Sequence, residues 1–297
     1  MTESWQADAR RGRIDAPRIV PLSSDESRRL RLGWSSRFQV HDLEEHLREY
    51  PGLSLWIPST GEYIIGGPWR HRPEIVGVLE LAGGANSVPL LESLVQVATE
   101  TGKRLVLMSE HLETRHRAFY DSAGFELLEE ILVYELSPVR RIEPALGDLR
   151  FERVLPEDRA RRDAVLELDH AAFPWLWWNS EGEFENYLHS AGVEIYLGRD
   201  ASGAVVSYVG VTRFRGGNWG HLDRIAVAPD RQGRGYGWRS LDFAVAVLAG
   251  KGARRIGLST QARNSVSRRL YERYGFRRTM SHDYRLWGRW TGPRGDM

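Results

Sequence analysis

At 297 residues, with 41% hydrophobic and 27% charged residues and a net charge of +1, the chain has the makeup of a globular protein of about two domains. It has no cysteine, which excludes disulfides, thiolate metal sites and a cysteine nucleophile, and no apolar run near the roughly twenty residues that span a bilayer. Charge is uneven: residues 1–147 hold 17 Lys+Arg against 22 Asp+Glu and residues 148–297 hold 24 against 18, which favours an anionic ligand on the second half but is weak for a duplex-binding surface.

Residues 1–15 are polar, lack a signal-peptide core and read as a disordered, cytoplasmic start. Internal repetition comes next. "RLVLMSEHLETRHRAFYDSAGF" (104–125) lies without gaps on "RIGLSTQARNSVSRRLYERYGF" (255–276), pairing Tyr120 with Tyr271 and Gly124-Phe125 with Gly275-Phe276 at a constant offset of 151. A strand, loop and helix repeated at one offset point to duplication. The aperiodic, proline-bearing stretch after Leu136 then separates two related units, 16–139 and 149–297, with a linker at 140–148.

In the second unit "RFERVL" reads as a strand and "PEDRARRDAVLELDHAAF" as a helix entered through a proline and two acids. Three β-rich runs follow between Val193 and Pro229, broken by "RDASGA" and "RGGNWG". Strict alternation along "GHLDRIAV" sets His221, Asp223, Ile225 and Val227 on one face and Leu222, Arg224 and Ala226 on the other. Leu241, Val245 and Leu248 form the stripe of a helix that begins near Gly237 and ends near Gly250. "RRIGLST" is a strand, "NSVSRRLYERYGF" a helix closed by Gly275, and "HDYRLWGRW" a last strand.

Between the third β-run and the stripe lies "VAPDRQGRGYGWRS", with Gly233, Gly235 and Gly237 at alternate positions among arginines. A strand, a glycine turn and a helix start leave backbone N–H groups unpaired at a positive dipole end, a site for a phosphate or pyrophosphate. No Gly-Lys-Ser/Thr closes the turn, so it is not a Walker loop, and Gly-x-Gly-x-Gly is not the dinucleotide fingerprint. A plain connector with solvated arginines is the competing reading.

These residues resemble the GNAT superfamily of N-acetyltransferases. "QGRGYG" (232–237) is similar to that family's Gln/Arg-x-x-Gly-x-Gly/Ala segment for acetyl-CoA pyrophosphate, and "NSVSRRLYERYGF" to its second segment. The resemblance implies an α/β protein of two tandem GNAT-like domains, each a mostly antiparallel sheet flanked by helices, in a layout similar to mycothiol synthase. It implies acetyl-CoA as cosubstrate, no metal, and coenzyme contacts from Ile225, Ala226, Val227, Gln232, Gly233, Arg234, Gly235, Tyr236, Gly237, Asn264, Arg268 and Tyr271. In the first unit "LAGGAN" (81–86) keeps Gly84 but loses the arginine and the last glycine, and Glu113 stands where Asn264 stands in the second, so this copy is expected to bind no coenzyme.

The family's direct transfer implies a backbone oxyanion donor near Val227 and Tyr271 as the acid for the departing sulfur. His221 is the candidate base with Asp223 as its partner; the alternative is a solvated histidine and an aspartate paired with Arg224 or Arg213, and His282 is a weaker candidate. Trp175, Trp177 and Trp178 either wall the acceptor site or glue the two units together. The expected function is acetyl transfer to a primary amine, of a small molecule rather than a protein, with no nucleic-acid or membrane partner. The alternative is a non-catalytic acyl-CoA-binding module that recognises a protein partner; within the transferase class, the alternative is a mycothiol-synthase-like or protein/peptide N-acetyltransferase.

Overall fold

Two strand pairs need a crossover helix, and around them the whole sheet is arranged. The computed structural model describes residues 17–294 except 113, 141–142, 215 and 281. The stretch 1–15 and Glu113 lie outside the described residues, and the linker 140–148 lies partly outside them.

In chain order the first half runs β1 (Val20–Pro21), α1 (Val40–Glu49), β2 (Ser54–Trp56), β3 (Tyr63–Trp69), β4 (Arg72–Ala82), α2 (Ser87–Glu100), β5 (Leu105–Ser109), α3 (Arg117–Ser122) and β6 (Glu126–Leu136). The second half runs β7 (Arg150–Val154), α4 (Arg159–Ala172), α5 (Glu181–His189), β8 (Val193–Arg199), β9 (Val205–Arg213), β10 (Trp219–Val227), α6 (Tyr236–Gly250), β11 (Arg255–Gln261), α7 (Ser265–Tyr274), β12 (Arg277–Arg278) and β13 (Tyr284–Trp290). Helix α5 was not expected from the sequence. Its interior is polar, but Ser180 accepts a hydrogen bond from the Glu183 N–H at 3.0 Å, and Ser-x-x-Glu is a helix-start signal that marks it.

Among the described residues all strands join one sheet in the order β1-β2-β3-β4-β5-β13-β6-β11-β10-β9-β8-β7, with β12 also on β6. Its neighbours are antiparallel except β4 with β5 and β10 with β11, the pairs bridged by α2 and α6. The centre of the sheet is an exchange. β13, from the end of the chain, inserts between β5 and β6, and β6, from the first half, inserts between β13 and β11. The tandem halves therefore share a single sheet, each contributing its last strand to the other.

Side chains on the exchanged strands account for this. Trp287 of β13 stacks on Tyr120 of the first half, ring centroids 4.5 Å apart and planes nearly parallel, and its indole N–H donates to Glu110 at 2.8 Å. Leu132 and Tyr134 of β6 join the core of the second half with Leu241, Val245, Leu248 and Tyr271. A third cluster bridges the halves, packing Ile75, Leu105 and Leu107 against Trp175, Leu176, Trp177 and Leu286. Burial of these large apolar side chains across the boundary ties the halves together, although each also keeps a cluster of its own, around Leu43 and Tyr63 in the first and around Val165 and Tyr208 in the second.

Two outcomes are expected. Produced as separate chains, residues 17–140 and 143–294 each leave an open gap in the sheet and should show no near-ultraviolet circular dichroism of packed aromatics until mixed. Trp287→Ala should cost about 3–5 kcal/mol and lower one shared melting transition rather than split it, as followed by calorimetric unfolding.

Candidate active site

The parallel pairing of β10 with β11 runs from Trp219–Arg255 to Leu222–Leu258 and stops. Beyond it the two strands diverge, so one edge of β10 from Asp223 to Val227 has no strand partner. Unpaired backbone donors at a strand edge need a ligand or water, and the gap opens into a cleft of about 670 Å³.

A bulge on β10 sets which side chains enter that cleft. The register with β9 shifts between Leu222 and Arg224, so strict alternation fails. Leu222 packs against α6, while Ala226, four residues on, packs with Val165 of α4 and Phe184 of α5 on the opposite face. This corrects the expected face assignment. His221 and Asp223 share the α4–α5 side with Arg224 and Ala226, whereas Ile225 and Val227 turn toward the α6 side.

On that side Asp223 is a three-way acceptor. His221 Nδ1 lies 2.6 Å from Oδ1, and the Tyr187 hydroxyl and Thr212 Oγ1 donate to Oδ2 at 2.5 and 2.6 Å. Neither Arg224 nor Arg213 pairs with it: Arg224 donates to Asp169 and to the Trp177 carbonyl, and Arg213 donates to the Lys251, Phe214 and Trp219 carbonyls. With Asp223 on Nδ1, the proton of a neutral His221 sits on that nitrogen and Nε2 is left as an acceptor. Tyr187, on the unexpected helix α5, was missed by sequence reasoning. Burial, then the Asp223 charge, push its phenol well above the usual range, so it stays a donor. Arg224 lies 4.0 Å over the Phe173 ring, and although desolvation opposes its charge, Tyr208 and the fully buried Asp169 outweigh that and raise its pKa.

At the other end, α6 starts at Tyr236 with no side-chain cap. Gly233 and Gly235 have φ of 76° and 83°, the left-handed region that disfavours side chains, and a Cβ on either would meet nothing within 4 Å. The turn thus faces open space with its first-turn N–H groups free for an anion. Gln232 folds back to donate to the Val227 carbonyl at 3.3 Å. Asn264 caps α7 by accepting from the Ser267 N–H at 3.1 Å, and Tyr271 closes the wall. Burial pushes the Tyr271 phenol well above its ordinary value, with a hydrogen bond involving Ser267 pulling the other way.

The cleft brings together His221, Asp223, Ile225, Ala226, Val227, Gln232, Gly233, Gly237, Asn264, Tyr271 and Trp177. Others sit elsewhere. Arg268 donates to the Ala262 carbonyl and to Tyr134, Tyr236 is buried beside Leu149 and Val206, and Arg234 is exposed on the turn. Trp175 is packed under Arg72 and Arg104 at 4.2 and 4.6 Å, and Trp178 lies 5.9 Å from Arg72, so both bind the halves together away from the cleft. His282 is also away from it. Three wall residues that sequence reasoning missed, Arg70, Ile131 and Tyr284, come from the first half or the exchanged strand.

The equivalent place in the first half is filled by the chain itself. Glu62 accepts from the Asn86 N–H at 3.4 Å and from its side-chain amide at the start of α2, where an anion would otherwise sit. Desolvation pushes this carboxyl up, but bonds from Asn86 and Thr60 outweigh it and hold it below the usual range. A Cβ on Gly84 would meet Glu62 at 2.9 Å. Arg115 crosses to the Leu81 carbonyl at the end of β4.

Comparison with known proteins agrees with this geometry. The model of the acetyltransferase (GNAT) family matches residues 159–276, from the start of α4 to the residue pair after α7. That segment is similar to a GNAT acetyltransferase domain. Among solved structures, the chain is similar to a GCN5-related N-acetyltransferase from Sphaerobacter thermophilus, 20% identical over 86% of this chain and 87% of that one, with a TM-score of 0.52. It is similar to a tandem GNAT protein from the clavulanic acid biosynthesis pathway, 14% identical over 94% of this chain and all 100% of the other, with a TM-score of 0.58. A GCN5-related N-acetyltransferase from Kribbella flavida is 14% identical over 93% and 71%, with a TM-score of 0.63. At these identities the likeness is one of fold, mixed α/β in tandem halves; these relatives do not add support for a mycothiol-synthase layout. No curated protein matches the chain. No helix among the described residues is long and apolar enough to cross a membrane, and no group of His, Asp and Glu among them could hold a metal ion.

Gly235→Ala should cost about 1–2 kcal/mol through its left-handed backbone and leave a folded protein, whereas Gly235→Glu should also set a carboxylate against the free N–H groups. Titration calorimetry with coenzyme A should find one site per wild-type chain and at least a tenfold loss of affinity in Gly235→Glu.

Proposed function

We propose that the chain is an acetyl-CoA-dependent N-acetyltransferase that moves an acetyl group to a primary amine of a small molecule by direct transfer in a ternary complex. The observation that carries this reading is the convergence in one cleft of the uncapped α6 start, the unpaired edge of β10 and the His221–Asp223 pair. A cleft of about 670 Å³ suits a pantetheine arm with a small acceptor.

The residues fit the coenzyme. Backbone N–H groups from Gly233 to Gly237 take its diphosphate, the edge of β10 from Ile225 to Val227 takes its arm, and Asn264 and Tyr271 line the opposite wall. Acetyl-CoA supplies the activated thioester. His221 accepts the ammonium proton on Nε2, and Asp223, braced by Tyr187 and Thr212, stabilises the imidazolium that results. An N–H on the free β10 edge near Val227 stabilises the oxyanion as the C–N bond forms. Tyr271, kept protonated by burial, gives its proton to the sulfur as the C–S bond breaks and regains one from the acetylated nitrogen, which leaves a neutral amide.

The first half, 16–139, binds no coenzyme in this reading, because Glu62 holds its anion position; with the linker at 140–148 it supports the working half, 149–297. The enzyme is assigned to the cytoplasm.

Calorimetric titration with acetyl-CoA and a thiol-release assay over a panel of amines test this together. Expected are one site per chain and amine-dependent thiol release. Two sites would restore the first half as a working copy; binding without release would make the chain a non-catalytic acyl-CoA module. Tyr271→Phe should lower kcat by about 100-fold, within the usual range for losing a general acid. His221→Ala and Asp223→Asn should each slow amine-dependent thiol release while coenzyme still binds; wild-type rates in both would remove the assignment.

A further inference from the structure

Hairpin β3–β4 of the first half closes at Trp69–Arg72 through a two-residue turn, Arg70-His71. Both have φ of 52°, a conformation such turns normally give to Asn-Gly, and neither is glycine. The strained tip is clamped onto α5 of the other half. Ser180 donates to the Arg70 carbonyl at 2.9 Å, His71 Nδ1 lies 2.9 Å from Glu183, and His71 Nε2 is 2.9 Å from the Asn186 amide. Non-glycine residues held at positive φ by outside contacts mark a tip kept for its side chains.

The Arg70 side chain lines the transferase cleft, beside Arg224. The two cations are treated differently by their surroundings. Arg224 is matched by Asp169 and by the Trp177 carbonyl. Arg70 donates to the neutral amide oxygen of Asn179; its nearest carboxylate, Glu183, is 4.0 Å away and already engaged by His71, and its Nε is buried without a partner. Burial, then the repulsion of Arg224, pull its pKa down to about 10, which leaves it a cation at neutral pH with a deficit of counter-charge. A partly buried guanidinium that lines a cavity, with only a neutral amide and a distant carboxylate as partners, binds an oxyanion.

Building on the acetyltransferase reading, we propose that the acceptor is a carboxylate-bearing primary amine, its carboxylate held by Arg70 at the cleft end shared with Tyr284 while its amine faces His221. The dipolar lining, Asp223 and His221 toward the amine and Arg70 toward the acid, matches an amino acid or an ω-amino acid. The first half thereby supplies a substrate-binding residue to the site on the second.

The test uses the full chain with matched acceptor pairs, β-alanine against propylamine and α-amino acids against their amides. Wild type should favour the carboxylate member by about 10- to 100-fold in kcat/KM, the scale of a charged hydrogen-bonded contact. Arg70→Gln should erase that preference, and Arg70→Lys should keep part of it. Coenzyme affinity and circular dichroism serve as fold controls. Equal use of both members by wild type, or a preference that survives Arg70→Gln in a folded protein, would overturn the inference and leave acetyl transfer standing. If no amine is acetylated while the coenzyme still binds, the transferase reading fails instead. The anion site is then judged by melting: propionate should stabilise wild type but not Arg70→Gln, and no difference between the two overturns it.

Discussion

The exchange of β6 and β13 at the middle of the sheet is the constraint on which everything else rests. Each strand fills a gap that the other half would leave open, and each carries the aromatic residue that completes the other half's core, Trp287 on Tyr120 and Tyr134 beside Tyr271. An interior strand with unmet N–H and C=O groups on both edges would be costly, so the two halves gain their stability jointly. The same exchange brings Ile131 and Tyr284 to the cleft, and the bridging cluster around Trp175 keeps hairpin β3–β4 close enough for Arg70 to reach it.

Within that frame, chemistry depends on two irregularities of a single strand. β10 loses its parallel partner after Leu222, which frees a row of backbone groups, and it bulges at the next residue, which turns Arg224 and Ala226 toward α4 and α5, the side of Asp223. A regular strand would have neither the gap nor Arg224 and Ala226 on the side that carries His221 and Asp223. Both defects lie where a ligand can satisfy what the sheet does not.

The halves share an architecture and differ in how they treat a helix start. At α6 the first-turn N–H groups face open space past two left-handed glycines; at α2 Glu62 reaches the same kind of donors. A carboxylate supplied by the chain competes directly with one supplied from outside, so a single side chain separates an anion site from a structural cap.

Much of this was legible in the sequence because it is local. The glycine spacing at 233, 235 and 237, the helix that follows, the Asn264–Tyr271 segment and the absence of cysteine are properties of neighbours along the chain, and helix and strand periods report them. Helix α5 was less legible, since its polar run hides a period and only Ser180-x-x-Glu183 marks it. The alternation along "GHLDRIAV" misled, because one extra residue in a pairing register leaves no trace in the strand that carries it. Strand exchange, the capture of Trp175 and Trp178 by Arg72 of the first half, and the entry of Arg70 into the cleft join residues roughly a hundred or more positions apart. Local composition determined the elements and the anion turn; only long-range packing, which decides which strand neighbours which, determined whose side chains wall the site.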